Sequence, residues 1–559
     1  MQALATHDAA PVDYQSLRFD YKRHADQDAD SPAHHPVVVV GAGPVGLALA
    51  IDLAQQQVPV VLLDNDCTLS SGSRAICFAK RTLEIFDRLG CGGRMVDKGV
   101  SWKVGRVFFG DEQVYSFDLL PEAGHERPAF INLQQYYVEG YLAERAAELP
   151  LIDLRWNNKV VGIEQGADAA LLTIETPEGE YRLAAGYVAA CDGSRSSLRQ
   201  LLGQEAKGRV FRDRFLIADV NMDADLPTER RFWFDPPFHP KQSVLLHKQA
   251  DNMWRVDFQL GWDADPVEER KHENIIPRVR ALLDSIGHQG VQFDIGWASV
   301  YTFACQRMER FRHGRVLFAG DSAHGVSPFG ARGANSGVQD ADNLAWKLAA
   351  VHKGEAPDAL LDSYASEREY AADENIRNST RATDFITPKS EVSRLFRDAV
   401  LALSKRHAFA RALVNSGRLS VASTLRASVL NTPDVDAFEG PMVPGAAAAD
   451  APLAGADAGG GWLLRELSPA AGATTRFTAL VFGDGAAAER SLDALARADV
   501  ALHVVRVGTG SAGEVAARRY DARPGTVYLL RPDQHVCARW RAPTPEAVRA
   551  ARDRALAKG

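Results

Sequence analysis

The segment VVVVGAGPVGLALAIDLAQQQVPVVLLD, residues 37–64, restricts the fold more than any other part of the chain. It opens on four valines, the pattern of a strand buried on both faces. Gly41-x-Gly43-x-x-Gly46 follows at once, then an apolar helix over 47–55 and a strand over 58–63 that ends in Asp64. Strand, glycine loop, helix, strand and acid stand in the order of a βαβ unit built around a dinucleotide. The first glycine makes the tight turn, the second admits a pyrophosphate, and the third lets helix and strand pack closely. Free N–H groups and partial positive charge at the helix start favour that anion. Asp64 is suited to accept hydrogen bonds from a ribose. A Rossmann-type α/β domain is therefore predicted.

A second stretch, GDSAHGVSPFGARGANSGVQDADNLAWKL at 320–348, follows the strand-like RVLFAG and leads into a helix. Its Gly-Asp pair at a strand end can present a carboxylate to a sugar or phosphoryl group. Its glycines let the backbone pass close to something flat. A third, CDGSRSSLR at 191–199, again sets an acid and a glycine between a strand and a helix.

At 559 residues the chain is too long for one ordinary core, so two or three domains are expected. The net charge of −8 argues against a general nucleic-acid binder. No segment has the apolar length of a membrane span, and no membrane partner is expected. Residues 1–35 form a polar N-terminal extension without the apolar core of a secretory signal. The six cysteines are scattered with no C-x-x-C, so neither a disulfide framework nor a thiolate metal site is read. A cytoplasmic location is expected.

Along the chain, 36–208 reads as the first part of the nucleotide domain, with strands at 101–128 contributing to a second domain. Residues 209–300 read as an inserted β-sheet. There MWRVDFQLGW alternates, with Trp254, Val256, Phe258 and Leu260 on one face and Arg255, Asp257 and Gln259 on the other. QSVLLHKQ reads as a partner strand. Residues 301–385 return to the nucleotide domain, 386–435 are helical, and 436–461, rich in Ala, Gly, Pro and Asp, read as a linker. A final α/β unit occupies 462–559, with strands in FTALVF, ALHVVRV and GTVYLL. The combined fold class is α/β and α+β.

GAGPVG, CDGSRSSLR and GDSAHGVSPFGARGANSGVQDADNLAWKL, in that order, resemble the single-component FAD monooxygenases of the para-hydroxybenzoate hydroxylase type. SRAICFAKRTLEIFDRLG and GTVYLLRPDQHVCARW are similar to the subgroup containing phenol hydroxylase and 3-(3-hydroxyphenyl)propionate hydroxylase. In that subgroup the C-terminal domain is thioredoxin-like without a redox dithiol.

The resemblance implies roles for particular residues. Gly41, Gly43 and Gly46 would hold the FAD pyrophosphate, and Asp64, where the family more often has Glu, the adenosine ribose. Arg74 would contact the phosphate or ribityl side. Gln135, with Gln134 as the fallback, would touch the cofactor. Asp192 and Gly193 would serve FAD and the nicotinamide donor, and Asp321 the ribityl chain. Gly333, Ala334 and Asn335 would line the isoalloxazine with N–H groups. The carbonyl of Pro328 would lie near the substrate; Ser327 replaces the first proline of a frequent pair.

The implied reaction uses NADH or NADPH and dioxygen. It passes through a flavin C4a-hydroperoxide and hydroxylates a phenolic substrate, ortho to its hydroxyl. A homodimer is implied too.

Outside those motifs, Tyr301 and His247 are candidates for catalysis or proton relay. Trp233, Arg255 and Asp257 are candidates for substrate contact, and each also reads as an ordinary strand residue. Phe234, Trp254 and Phe258 fit a pocket roof or a sheet core equally well. His324 reads as a structural hydrogen-bonding residue, the cationic run 307–315 as a solvated turn, and RPDQH at 531–535 as a turn without catalysis. Alternatives are an oxidase or halogenase on the same fold, though no Trp-x-Trp-x-Ile signature is present, and a non-catalytic flavin-binding protein.

Overall fold

The computed structural model describes residues 13–72, 74–414, 420–453, 461–468, 476–508 and 513–558. Its centre is a sheet in which Val316–Phe318, Gly179–Ala190, Ala33–Val40, Val60–Leu63 and Ile152–Arg155 lie side by side and parallel. In this register Val40 pairs with both Ala190 and Leu63, and Ala190 with Phe318. Four strands therefore stop at one level. Gly41, Asp64, Asp192 and Asp321 all follow those ends. This is the carboxyl edge where open α/β sheets bind ligands. The valines 37–40 are almost wholly buried, as a strand covered on both faces requires.

The first helix, Pro44–Gln55, starts three residues before the expected 47 because Gly43 serves as its N-cap and Pro44 takes the first turn. The second strand is shorter than 58–63, spanning Val60–Leu63. The polar extension packs from residue 13 onward. Tyr14 sits edge-on to Tyr137 and Tyr141, and Phe19 stacks on Trp156 at 4.2 Å.

A seven-stranded sheet stands beside this core, in the order Phe293–Tyr301, Arg214–Met222, Met253–Leu260, Ser243–Lys248, Arg230–Phe234, Val104–Phe109, Glu112–Asp118. The last two come from the 101–128 segment. Trp254, Val256 and Phe258 pack with Ile275, Val279 and Leu283 of helix His272–Ser285. The opposite face looks into the molecule and carries Arg255, Asp257 and Gln259, all buried as well.

Helices Gly333–His352, Leu360–Ile386, Glu391–Ser404 and Ala408–Val414 follow. The segment read as a linker is packed rather than free where it is described: Met442, Ala446, Ala448 and Ala451 are buried with Leu480, Tyr520 and Tyr528. Small residues let it lie flat against the last unit. That unit has a four-stranded sheet, Leu502–Val507, Phe477–Phe482, Val527–Leu530, Val536–Trp540, whose first pair is parallel. RPDQH is the turn between the last two strands.

Candidate active site

The three glycines of the first loop have different jobs. A Cβ on Gly46 would lie 1.9 Å from the Gly41 carbonyl oxygen, and one on Gly41, at φ 104°, 2.4 Å from that of Cys191. A Cβ on Gly43 would meet nothing within 4 Å. Gly41 and Gly46 permit close packing, whereas Gly43 opens onto the cleft. Asp64 accepts from Ala42 N at 2.6 Å and from Asp66 N at 2.8 Å, tying the second strand to the glycine loop. Burial raises its carboxyl above the usual range against the pull of those two donors.

Asp192 caps helix Ser197–Leu201, accepting from Ser197 Oγ at 3.2 Å and Leu198 N at 3.1 Å. Its other oxygen, Oδ1, is buried without a protein partner. Gly193, at φ 74°, faces open space. Arg199 donates to the carbonyls of Ser322 (2.7 Å) and Ser194 (2.6 Å), joining the two Asp-containing turns.

Asp321 projects into the cleft, and among the described residues nothing is hydrogen-bonded to its carboxylate. Desolvation raises its carboxyl, with His324 and Arg74 opposing and Asp340 adding to the rise. Asp340 holds this turn in place. It accepts from Gly320 N at 2.9 Å and Arg368 Nε at 2.6 Å, and pairs with His324 Nε2 at 2.7 Å. Burial alone would raise Asp340, but His324 and Arg368 hold it below the carboxylate range. His324 thus ties the turn to Asp340.

Helix Gly333–His352 begins at the same edge. The N–H groups of Gly333, Ala334 and Asn335 have no carbonyl four residues back, so they remain donors. The Asn335 side chain is committed elsewhere: Oδ1 accepts from Ala79 N at 2.8 Å, and Nδ2 donates to the carbonyls of Cys77 (2.8 Å) and Ala331 (2.6 Å). Pro328 is exposed at the mouth of the loop. Ser327, in the place of a proline, is buried and accepts from Thr383 Oγ1 at 2.8 Å, which anchors the loop to helix Leu360–Ile386.

Arg74 lies exposed on a loop held from two sides. Gln135 accepts from Ala75 N at 2.9 Å and donates to Ser70 Oγ (3.0 Å) and Glu139 Oε1 (2.7 Å). Its amide thus holds the loop that carries Arg74. Gln134 is buried, donates to the Ala250 carbonyl at 3.0 Å, and leaves Oε1 unpartnered. On the sheet side Arg255 donates to the Arg74 carbonyl at 3.3 Å, and Gly72 lies against Trp297 so closely that a Cβ would come within 2.5 Å of the indole.

The inner face of the seven-stranded sheet carries Arg255, bonded to Asp257 at 3.0 Å, with His247 opposite Arg255 on the next strand. Burial, then the charges of Arg230 and Arg255, push the His247 imidazole well below its usual range. Tyr301, 45% exposed, stands at the edge of this face. Desolvation and then Asp321 raise its phenol.

Beside the Phe329–Gly330 turn lies a partly open pocket walled by Phe232, Phe234, Tyr115 and Ile386. Trp233 does not reach it, which corrects its reading as a substrate contact. It is buried on the opposite face, stacked on Phe108 at 5.1 Å and packed near Val244. Neighbours in a strand point to opposite faces, so Trp233 and Phe234 cannot share a pocket. The residues missed from sequence are Arg230, Phe232 and Phe329. The alternation in RRFWF, set in register with QSVLLHKQ, is the signal that locates the first two.

The cleft fits FAD by its own chemistry. It has an open glycine, an orphaned buried oxygen on Asp192, an unbonded carboxylate on Asp321 and a helix N-terminus with free donors.

Comparisons agree. Residues 34–379 match the model of the family described as FAD binding domain. A 3-(3-hydroxy-phenyl)propionate/3-hydroxycinnamic acid hydroxylase of Mycolicibacterium smegmatis is 30% identical over 66% of this chain and 65% of its own length. A probable NADH-specific resorcinol 4-hydroxylase of Rhodococcus jostii is 32% identical over 60% of this chain and 62% of its own. These matches span slightly less than two thirds of the relatives' lengths. Among solved structures, the flavin-dependent monooxygenase PieE, in complex with FAD and substrate, has the same fold. Its TM-score is 0.77 over 95% of this chain and 100% of that one, at 22% identity. The p-nitrophenol 4-monooxygenase PnpA from Pseudomonas putida DLL-E4 gives 0.62 over 70% and 99%, at 27% identity. Since the family model covers more than half of the chain, and the cleft presents the donors and acceptors that cofactor needs, the chain belongs to the family described as FAD binding domain.

Proposed function

We propose that the protein hydroxylates a phenolic ring, ortho to an existing hydroxyl, using NADH or NADPH and dioxygen. The observation that carries this reading is the aromatic-walled pocket lined by Phe329, Gly330 and Arg332, the last of these the N-cap of helix Gly333–His352. The names of the two relatives, both hydroxylases of phenols, support it, and the R. jostii relative's name favours NADH.

FAD, when bound, supplies hydride acceptance from the nicotinamide and transfer of one oxygen atom from dioxygen to the ring. Gly41, Gly43 and Gly46 would form the loop that holds its pyrophosphate, with Gly43 the open position; Asp64 would bind its ribose, and Asp321 with Arg74 its ribityl side. Asp192 and Gly193 would serve the cofactor and the nicotinamide donor. The free N–H groups of Gly333, Ala334 and Asn335 would favour negative charge on a ring placed against this helix start. The Pro328 carbonyl accepts from the substrate hydroxyl. Tyr301 stays protonated and donates a hydrogen bond. His247, kept neutral, is a hydrogen-bond partner rather than a strong base. The apolar walls exclude water.

The last unit, with its four-stranded sheet and helices, is assigned as thioredoxin-like without a dithiol. A cytoplasmic homodimer completes the reading; the six cysteines, all free, suit a reducing compartment. The test is NAD(P)H consumption by purified flavoprotein. Certain phenols should accelerate it with matching hydroxylated product, and acceleration by no phenol would sink the reading.

A further inference from the structure

Helices Glu391–Ser404 and Ala408–Val414 pack on each other across a short turn, which Arg411 Nε closes by donating to the Ser404 carbonyl at 2.7 Å. One side of the longer helix is spent on the molecule. Arg397, Val400, Leu401 and Ser404 are buried there, and Leu401 packs with Val107 and Phe234. A second apolar side has no cover among the described residues. Val392, Leu395, Phe396 and Leu403 recur on it at helical spacing, and Phe409 and Leu413 follow on the shorter helix. Each is between 44% and 77% exposed. Among the described residues, six of the seventeen large apolar side chains left exposed thus fall between Val392 and Leu413, a concentration that marks a contact surface.

The charge around these side chains selects what can cover them. Lys389, Arg397 and Lys405 are paired with Asp213, Asp398 and Glu112. Of the other charged residues in 389–414, three are exposed cations, Arg394, Arg406 and Arg411, and one is a carboxylate, Glu391. This face is therefore cationic on a chain whose net charge is −8. A second copy would set the cationic rim against itself, because a twofold interface uses the same patch on both sides. The stripe is Val, Leu, Phe and Ala throughout, with Ala399, Ala402 and Ala412 its exposed small positions. It offers no Tyr or Trp and no side-chain hydrogen bond of the kind that fixes a specific protein partner. An anionic bilayer meets both demands: its acyl chains take the apolar side chains, and its headgroups take the cations.

We propose that this helix pair docks on an anionic lipid bilayer, with Leu395, Phe396, Leu403 and Phe409 among the acyl chains and Arg394, Arg406 and Arg411 at the headgroups. The attachment is peripheral, since no helix among the described residues is long and apolar enough to cross a membrane. It departs from the expectation of no membrane partner, which rests on the absence of a spanning segment. Three cations are fewer than the roughly four to eight of a polybasic anchor, so binding is reversible and needs the apolar and the charged contribution together. Ile386 and Val414 flank the pair in the chain, and both line the aromatic-walled pocket. Docking therefore sets one wall of that pocket next to the bilayer, the phase in which poorly soluble aromatic molecules collect.

Flotation of the FAD-loaded protein with lipid vesicles tests this. The vesicles are phosphatidylcholine alone, or phosphatidylcholine with phosphatidylglycerol at about 3:1. At low salt the mixed vesicles should carry about tenfold more protein or better, and salt at about 0.5 M should remove most of that excess. The double variant Leu395→Glu/Phe396→Glu should no longer float. Its flavin content and thermal midpoint should stay those of the wild type, because both side chains are exposed. Arg394→Gln with Arg406→Gln should lower the excess severalfold. Where the glutamate pair misfolds, the glutamine pair decides. No flotation with either vesicle, equal flotation with both, or undiminished binding by the variants overturns the proposal. A wild-type dimer that the glutamate pair breaks overturns it too, and assigns the face to a second copy. Failure of every phenol to be hydroxylated would sink the reaction proposed above and leave the vesicle result standing.

Discussion

Arg531 and Glu367 meet at 2.6 Å in a fully buried ion pair that joins the C-terminal unit to helix Leu360–Ile386. Glu367 also accepts from Lys347 Nζ at 2.8 Å, and the carbonyl of Asp533 accepts from Arg81 at 2.7 Å. Lys347 lies on the helix whose first turn forms the candidate ring site. The RPDQH turn therefore braces that helix from its far end. Removing Arg531 takes a buried cation from both Glu367 and Asp533, a loss of about 3–5 kcal/mol. Arg531→Met should show it in urea unfolding. A loss below about 1 kcal/mol would mean that the brace is slack.

Lys347 carries a pH signature. Burial lowers its ammonium to about 8, with Glu367 opposing, from an ordinary 10.5. Between those values the unfolded chain binds more protons than the folded one, so stability rises with pH through this window. Below about 8 both states are protonated, and Lys347 adds no slope. Unfolding midpoints measured from about pH 7 to 10 should contain a rising component that is absent in Lys347→Met.

Asp321 and Asp340 test the proposed division between cofactor contact and scaffold. Asp321→Asn should leave the stability of the apoprotein, measured by thermal unfolding, within about 0.5 kcal/mol, as expected for an exposed group without partners. It should weaken FAD binding about tenfold or more, measured by fluorescence titration. Asp340→Asn removes the partner of Arg368 and should lower apoprotein stability by several kcal/mol. Equal behaviour of the two variants would contradict their assignment.

The glycine loop gives a similar contrast. Gly46→Ala places a methyl against the Gly41 carbonyl, so little folded protein should be recovered. Gly43→Ala should fold and melt normally yet bind FAD poorly, because its methyl fills the open side of the loop. Circular dichroism and flavin content separate these outcomes.

Trp233 and Phe234 test the face assignment. Trp233→Ala should cost about 3–5 kcal/mol as a core truncation and leave KM for the aromatic substrate nearly unchanged. Phe234→Ala should raise KM. The reverse pattern would return Trp233 to the pocket.

Much of this architecture is legible in the amino-acid sequence. The parallel core and the placing of Gly41, Asp64, Asp192 and Asp321 at one edge follow from strands whose ends are marked by their own motifs. Orientation is what the sequence does not yield. Whether Trp233 or Phe232 faces the cavity depends on pairing with Ser243–Lys248, and a one-residue slip reverses every side chain. The role of Gln135 is hidden because its partners, Ser70 and Ala75, lie about sixty residues away along the chain. Arg230 escapes notice because its burial at the pocket wall is a property of packing, invisible in composition.

The central claim is that the cleft and the cavity together transfer oxygen to a phenol. Turnover under isotopically labelled dioxygen, followed by mass spectrometry of the product, tests it most directly. The account predicts one labelled oxygen on the ring carbon beside the existing hydroxyl, matched to NAD(P)H consumed. Unlabelled product, or peroxide released in full stoichiometry with every phenol, would contradict it.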